Sequence, residues 1–116
     1  MIVPHMFGLP VSMEELVRLG VPIIEDCAMA IGASRRGRKV GSFGELSICS
    51  FYATKMLSAA GEGGMVLTDS ADLATQVKAL RQYDGLSTDL LRFNYKMTDV
   101  AAAMGRVQLR NYLKTS

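Results

Sequence analysis

Short apolar stretches constrain this chain more than any other feature of it. Val21–Glu25 (VPIIE) is apolar with almost no alternation, Leu46–Tyr52 (LSICSFY) alternates only partly, and Gly64–Thr68 (GMVLT) is a third such run. A strand with one wet face alternates polar and apolar residues. A strand that is apolar throughout needs cover on both faces, and such strands belong to parallel sheets flanked by helices. Residues 1–10 (MIVPHMFGLP) read as a strand end entering a loop, with Pro4, Gly8 and Pro10 as breakers. Ser12 starts a helix, with Glu15 completing a capping box, Leu16 and Leu19 forming an apolar stripe, and Gly20 as the stop. Strand, helix and strand with short links predict a parallel βαβ arrangement.

The rest of the chain is punctuated as clearly. Residues 33–44 (ASRRGRKVGSFG) read as a surface hairpin around Gly37. The Arg35, Arg36, Arg38 and Lys39 cluster fits a solvated hairpin better than an anion patch. A helix is predicted from Ser70, with Leu73, Val77 and Leu80 on one face. A loop follows over residues 84–93, opened by Asp-Gly. The last helix has Thr98 as N-cap and Asp99 in its positive first turn, and runs towards Lys114. About three apolar strands and three helices leave the sheet short of cover. Either the chain is small and awkward, or its neighbours lie outside this sequence.

Composition removes several classes of function. Of 116 residues, 49% are apolar and 21% charged, which excludes a disordered or collagen-like chain. Thirteen Lys and Arg against eleven Asp and Glu give a net charge of +2, too weak and too dispersed for a nucleic-acid surface. No stretch approaches the ~20 apolar residues of a membrane span, and no basic region followed by an apolar core marks an export signal. The expectation is a soluble, cytoplasmic protein. Cys27 and Cys49 make no disulfide framework and lack metal-ligand spacing.

Generic catalytic motifs are missing. Gly61-Glu62-Gly63-Gly64 lacks the lysine and the spacing of a phosphate loop, and there is neither a G-x-G-x-x-G nor a G-x-S-x-G. His5 has no second ligand at metal spacing and reads as an ordinary loop histidine. What remains is a coherent set. Asp26 closes the first apolar run, where an α/β sheet presents residues to a ligand crevice. A carboxylate there is costly unless it meets a cation or hydrogen-bond donors. Ser50 closes the second run, and Lys55 follows it in SFYATK, just before the flexible GEGG. An amine, a hydroxyl and a carboxylate are thereby predicted at the carboxyl ends of neighbouring strands.

Five segments carry a resemblance. IEDCAMAIGA, GSFGELSICSFYATK, GEGGMVLT, LRQYDG and FNYKMTDVAAAMG, in that order from about His5 to Leu113, strongly resemble the DegT/DnrJ/EryC1/StrS family of pyridoxal-phosphate-dependent sugar aminotransferases. The resemblance implies a partial three-layer α/β/α sandwich like the large domain of fold-type-I cofactor enzymes. Residues 1–116 would be one partial cofactor-binding domain, with no counterpart of the family's N-terminal segment or C-terminal small domain. It further implies Lys55 as the Schiff-base lysine and proton carrier, buried and desolvated so that its amine is nucleophilic. Asp26 would contact the pyridine nitrogen and Ser50 the phosphate. Asn94 would reach the phosphate from the neighbouring subunit of a homodimer. Met29 stands where Gln or His usually lies beside the ring, and a thioether packs on a ring without a strong hydrogen bond. Glu62, Gly63 and Gly64 match the family's E-G-G as backbone shape. A lysine at position 55 separates the chain from the family's dehydratase branch, which has histidine there. The activity implied is amino transfer from a glutamate-like donor to a nucleotide-linked keto-sugar, in amino-sugar and polysaccharide biosynthesis. The alternative is a truncated, incompetent remnant that associates through exposed apolar surface.

Overall fold

The computed structural model describes residues 1–83 and 91–115. Its central element is a four-stranded sheet in the order β1-β2-β5-β6, built from β1 (Ile2–Pro4), β2 (Ile24–Asp26), β5 (Leu46–Ser50) and β6 (Gly64–Leu67). β1, β2 and β5 are parallel, and β6 returns antiparallel to β5. The expected βαβ unit is therefore present, with the short helix α1 (Met13–Val17) between β1 and β2. β2 starts at Ile24, later than the apolar run, because Pro22 has no N–H to give a ladder and the Ile23 N–H is taken by the Glu45 side chain.

Strand register assigns the faces. Val3 pairs with Glu25 and Glu25 with Ser47, so these three side chains share one face. All three are buried: α1 inserts Met13, fully buried, against Val3 and Ile23, and the segment over residues 41–44 lies against Glu25 and Ser47. Further along this face, Cys49 meets a second cluster of Phe51, Leu57 and Ala59. Met97 and Ala101 pack against that cluster at the start of α3 (Asp99–Thr115). The opposite face carries Ile2, Asp26, Ile48, Ser50 and Val66, with Ile2 69% exposed. Every residue of β6 is exposed. An open cleft of ≈ 870 Å³ separates β6 from α2 (Ala71–Leu80). The α/β class holds, and the sandwich is partial in the way the scarcity of helices implied.

Two local predictions hold and one fails. The Ser70 hydroxyl caps α2 by accepting from the Leu73 N–H at 3.3 Å, and Thr98 Oγ1 caps α3 by accepting from the Ala101 N–H at 3.2 Å. The capping box at Ser12 does not form. Ser12 has ψ 80° and its side chain makes no cap bond. Val11 is pinned through its N–H to His5 Nδ1, and the five-residue helix is held by the burial of Met13. No helix among the described residues is long and apolar enough to cross a membrane. The predicted loop over residues 84–93 lies mostly outside the described residues.

The hairpin forms as expected, with β3 (Ser34–Arg35) antiparallel to β4 (Arg38–Lys39). Arg36 and Gly37 both have positive φ, 50° and 80°, the geometry of a two-residue type I′ turn. Its cations are engaged locally. Arg35 and Arg36 lie 3.5 and 3.7 Å from Glu14, Arg38 stacks on Phe43, and Lys39 donates to the Gly32 carbonyl. The cluster is thus a fastening of the hairpin and not an anion patch.

Gly44 is where backbone approaches backbone most closely, since a Cβ there would lie 2.5 Å from the Ile23 carbonyl oxygen. Gly44→Ala is expected to cost about 1–3 kcal/mol in urea unfolding. Gly37→Asn, in open space but at a φ of 80°, should cost less, about 1 kcal/mol, from backbone strain alone.

Candidate functional site

The parallel pairing of β2 with β5 brings their carboxyl ends side by side. Asp26 is the ladder partner of Ile48, and Ser50 is two residues further along the same strand. Asp26 and Ser50 therefore share the open face, with Cα atoms roughly 8 Å apart from strand spacing and rise. Asp26 Oδ1 accepts the Ala28 N–H at 2.9 Å, and its second oxygen takes no hydrogen bond from the described residues. Ser50 Oγ accepts the Tyr52 N–H at 3.3 Å, which leaves its own proton to donate outward.

Lys55 sits in the tight turn that leaves β5. Its backbone N–H donates to the Tyr52 carbonyl at 2.9 Å, and the Ala53 N–H reaches back to Gly61 at 3.1 Å. The Lys55 amine makes neither an ion pair nor a hydrogen bond with the described residues, and the side chain is half-buried. Full burial of this lysine was expected, and the chain by itself does not provide it. Met29 is 39% exposed, its carbonyl held by the Gly8 N–H at 2.9 Å. Asn94 is exposed and lines an open groove of ≈ 690 Å³ together with Glu62, Gly63, Gly64 and Met97. Gly64 is the ladder partner of Ser50, so this groove adjoins the same sheet edge. A Cβ on Gly63 would sit 2.7 Å from Met97 Sδ, and one on Gly64 2.9 Å from the Cys49 carbonyl oxygen. The two glycines serve backbone shape, as expected.

The costly carboxylate is Glu25, not Asp26. Glu25 and His5 are both fully buried, with His5 Nε2 3.0 Å from Glu25 Oε2. His5 Nδ1 accepts the Val11 N–H at 3.1 Å, which assigns the proton to Nε2 and makes it the donor to Glu25. The same carboxylate accepts the N–H groups of Gly41 at 2.8 Å, Phe43 at 2.6 Å and Gly44 at 2.8 Å. Burial alone raises the pKa of this carboxyl. The bonds from Gly41, Gly44, His5 and Phe43 together outweigh burial and hold it below its ordinary 4.5. His5 is thus a structural partner in the core, not the ordinary loop histidine that its isolation in sequence implied.

His5, Glu25 and Cys27 offer ligand atoms within 4.8 Å of one another. They do not make a metal centre, because both imidazole nitrogens and both carboxylate oxygens are already engaged. The Cys27 thiol is pushed up to about 12, first by burial and then by its acidic neighbours, the Cys49 thiol and the Glu25 and Asp26 carboxylates, whose ionised forms disfavour a second negative charge. Burial and Asp26 push Cys49 up as well. Both cysteines are free and stay protonated, as small core residues do.

The donor set at the open edge suits a phosphorylated pyridine aldehyde. A carboxylate oxygen without a partner fits a ring N–H, an unpaired amine fits a carbonyl carbon, and a serine proton fits a phosphate. The family model described as the DegT/DnrJ/EryC1/StrS aminotransferase family matches residues 1–115. The chain belongs to this family. The family's aminotransferases depend on pyridoxal phosphate. The chain is 40% identical over 111 residues to a UDP-N-acetyl-3-dehydro-alpha-D-glucosamine 3-aminotransferase of Acidithiobacillus ferrooxidans, covering 90% of this chain and 30% of that protein. It is 37% identical over 115 residues to the GDP-perosamine synthase of Escherichia coli O157:H7, covering 90% and 31%. Among solved structures, DesI in the presence of its TDP-sugar product superposes with a TM-score of 0.87 at 35% identity. That match covers 97% of this chain and 30% of DesI. The chain spans about a third of the length of the relatives it matches.

For a member of this family, the residues that sequence reasoning missed are Glu25 and His5. One signal was available: a glutamate at the end of VPIIE, in a run read as covered on both faces, had to meet several donors inside the protein.

A depressed folded-state pKa gives a definite sign to acid sensitivity. Glu25 contributes stability that is full above about pH 4.5 and is lost as pH falls through its lower folded-state value. Unfolding midpoints measured from pH 7 to pH 3 should fall in this window. Glu25→Gln should cost about 3 kcal/mol or more at pH 7 and show a shallower decline below pH 4.5.

Proposed function

We propose that this chain is the cofactor-holding part of an aminotransferase that moves an amino group from a glutamate-like donor to a nucleotide-linked keto-sugar. The observation that carries the reading is the edge shared by Asp26 and Ser50, with the unpaired amine of Lys55 in the turn beyond it. The relatives named for UDP- and GDP-sugar chemistry support the substrate class.

In this reading each residue has a separate task. The free Asp26 oxygen accepts from the ring nitrogen and keeps that nitrogen protonated. Ser50 donates to the phosphate, with Asn94 as a further donor. Met29 packs against the ring without competing for a hydrogen bond. Lys55 Nζ anchors the cofactor and moves a proton to and from the substrate carbon. Pyridoxal phosphate, when bound, supplies the electron-withdrawing ring that stabilises negative charge at that carbon. Donor and keto-sugar occupy the site in turn. Full desolvation of Lys55 requires cover beyond the described residues, and a second subunit is a source of it.

A homodimer is part of the proposal. Val100, Met104 and Val107 fall at i, i+4 and i+7 on α3 and are 72%, 50% and 54% exposed. Light scattering should give about twice the 12.6 kDa chain mass, and Val107→Asp should lower it towards one chain. A second reading, an association-dependent piece with no turnover of its own, is favoured by the exposure of all of β6. A stable monomer in the same measurement would count against both readings.

The decisive test is borohydride reduction of the protein mixed with pyridoxal phosphate, followed by peptide mapping. The label is expected on Lys55, with a visible absorption band before reduction, and Lys55→Ala should lose both. Label scattered over surface lysines such as Lys78 and Lys114 would overturn the proposal.

A further inference from the structure

We propose that His5 and Glu25 are positioning residues for Asp26: the buried pair anchors the covered side of β2, so that the next residue presents its carboxylate to the cofactor ring nitrogen at a fixed angle. The inference rests on the cofactor reading above and extends it to two residues that touch neither cofactor nor substrate.

The geometry is specific. Glu25 and Asp26 are consecutive in a strand, so their side chains leave opposite faces and the direction of one sets that of the other. Glu25 is held by four donors from two directions. His5 comes from the chain that follows β1, and Gly41, Phe43 and Gly44 come from the segment that precedes β5. These are the segments on either side of β2 in the sheet. His5 also bonds Asp26 directly through the backbone, its N–H donating to the Asp26 carbonyl at 3.0 Å. Three residues further on, Gly8 holds the Met29 carbonyl. The peptide that carries Asp26 is thereby clamped by its carbonyl and through its neighbour's side chain, while its own carboxylate is held only by Ala28.

His5 has an acceptor task and a donor task, to Val11 and to Glu25. Phenylalanine at position 5 keeps the ring volume and loses both. Glutamine at position 5 keeps a donor for Glu25 and an amide oxygen as acceptor. This difference separates positioning from mere occupancy of space.

The experiment is a double-mutant cycle on affinity for pyridoxal phosphate, read as the visible band in a titration, with thermal melts of the cofactor-free proteins as a folding control. The proteins are wild type, Asp26→Asn, His5→Phe, His5→Gln, and the double variants carrying Asp26→Asn. His5→Phe is expected to weaken binding roughly 10- to 100-fold, the scale seen when groups that orient a ligand-holding residue are removed. His5→Gln should recover most of that loss. In the Asp26→Asn background, His5→Phe should change affinity by less than about twofold, because the residue it positions no longer has its charge. An equal loss in both backgrounds would assign His5 a general structural role and overturn the inference, as would unchanged affinity in His5→Phe. If Asp26→Asn weakens binding while the cycle is additive, the inference alone fails. If wild type gives no band, or Asp26→Asn binds as wild type does, the cofactor reading fails and the inference falls with it.

Discussion

One carboxylate inside the protein organises the part of the chain that matters. A buried charge without partners is prohibitive, and one with four donors is tolerable only when all four are held in place. Glu25 meets this condition by drawing on His5 and on three backbone N–H groups of a glycine-rich stretch. The dependence runs both ways. Without the carboxylate, three backbone donors of the stretch between the hairpin and β5 would lose their acceptor, leaving that stretch held only by the packing of Phe43 and the contacts of Arg38. An apolar residue at position 25 would satisfy the core and leave these groups stranded.

The sheet divides its duties by face. The covered side carries Val3, Glu25, Ser47 and Cys49 together with the helical packing, and the open side carries Asp26 and Ser50. Rigidity thus comes from one side of a strand and chemistry from the other, one residue apart. A site built in this way lies on the stiffest element available while its reactive groups remain accessible. The bare face and the exposed β6 also explain why the chain's apolar content is high for what its helices cover.

Much of this architecture was legible in the sequence. The VPIIE run marked a strand of a parallel sheet, though the cover it implied on both faces is met on one face only among the described residues; Ser70 and Thr98 marked two helix starts, and Gly37 marked the hairpin turn. Each of these rests on local chemistry that acts wherever the residue is placed. The failures share another cause. The Ser12 capping box was overridden by the bond from Val11 to His5, and the isolation of His5 in sequence concealed a partner twenty residues away. The start of β2 shifted because the Ile23 N–H has a side-chain partner across the sheet. Asp26, Ser50 and Lys55 were placed at strand ends from sequence, and the structure puts Asp26 and Ser50 on one face and Lys55 in the turn beyond. Contacts twenty or more residues apart decided the His5 and β2 corrections.

The order of the two adjacent carboxylates has a consequence for errors in folding. A slip of β2 by one residue exchanges every side chain between the faces. Aspartate would then point into a pocket whose donors are set for a side chain one methylene longer, and glutamate would extend over the open face. The slipped strand would leave N–H groups inside the protein beyond reach of the shorter acid. Glu followed by Asp is therefore a register check written in side-chain length, and only the alignment that completes the interior also delivers aspartate to the open edge.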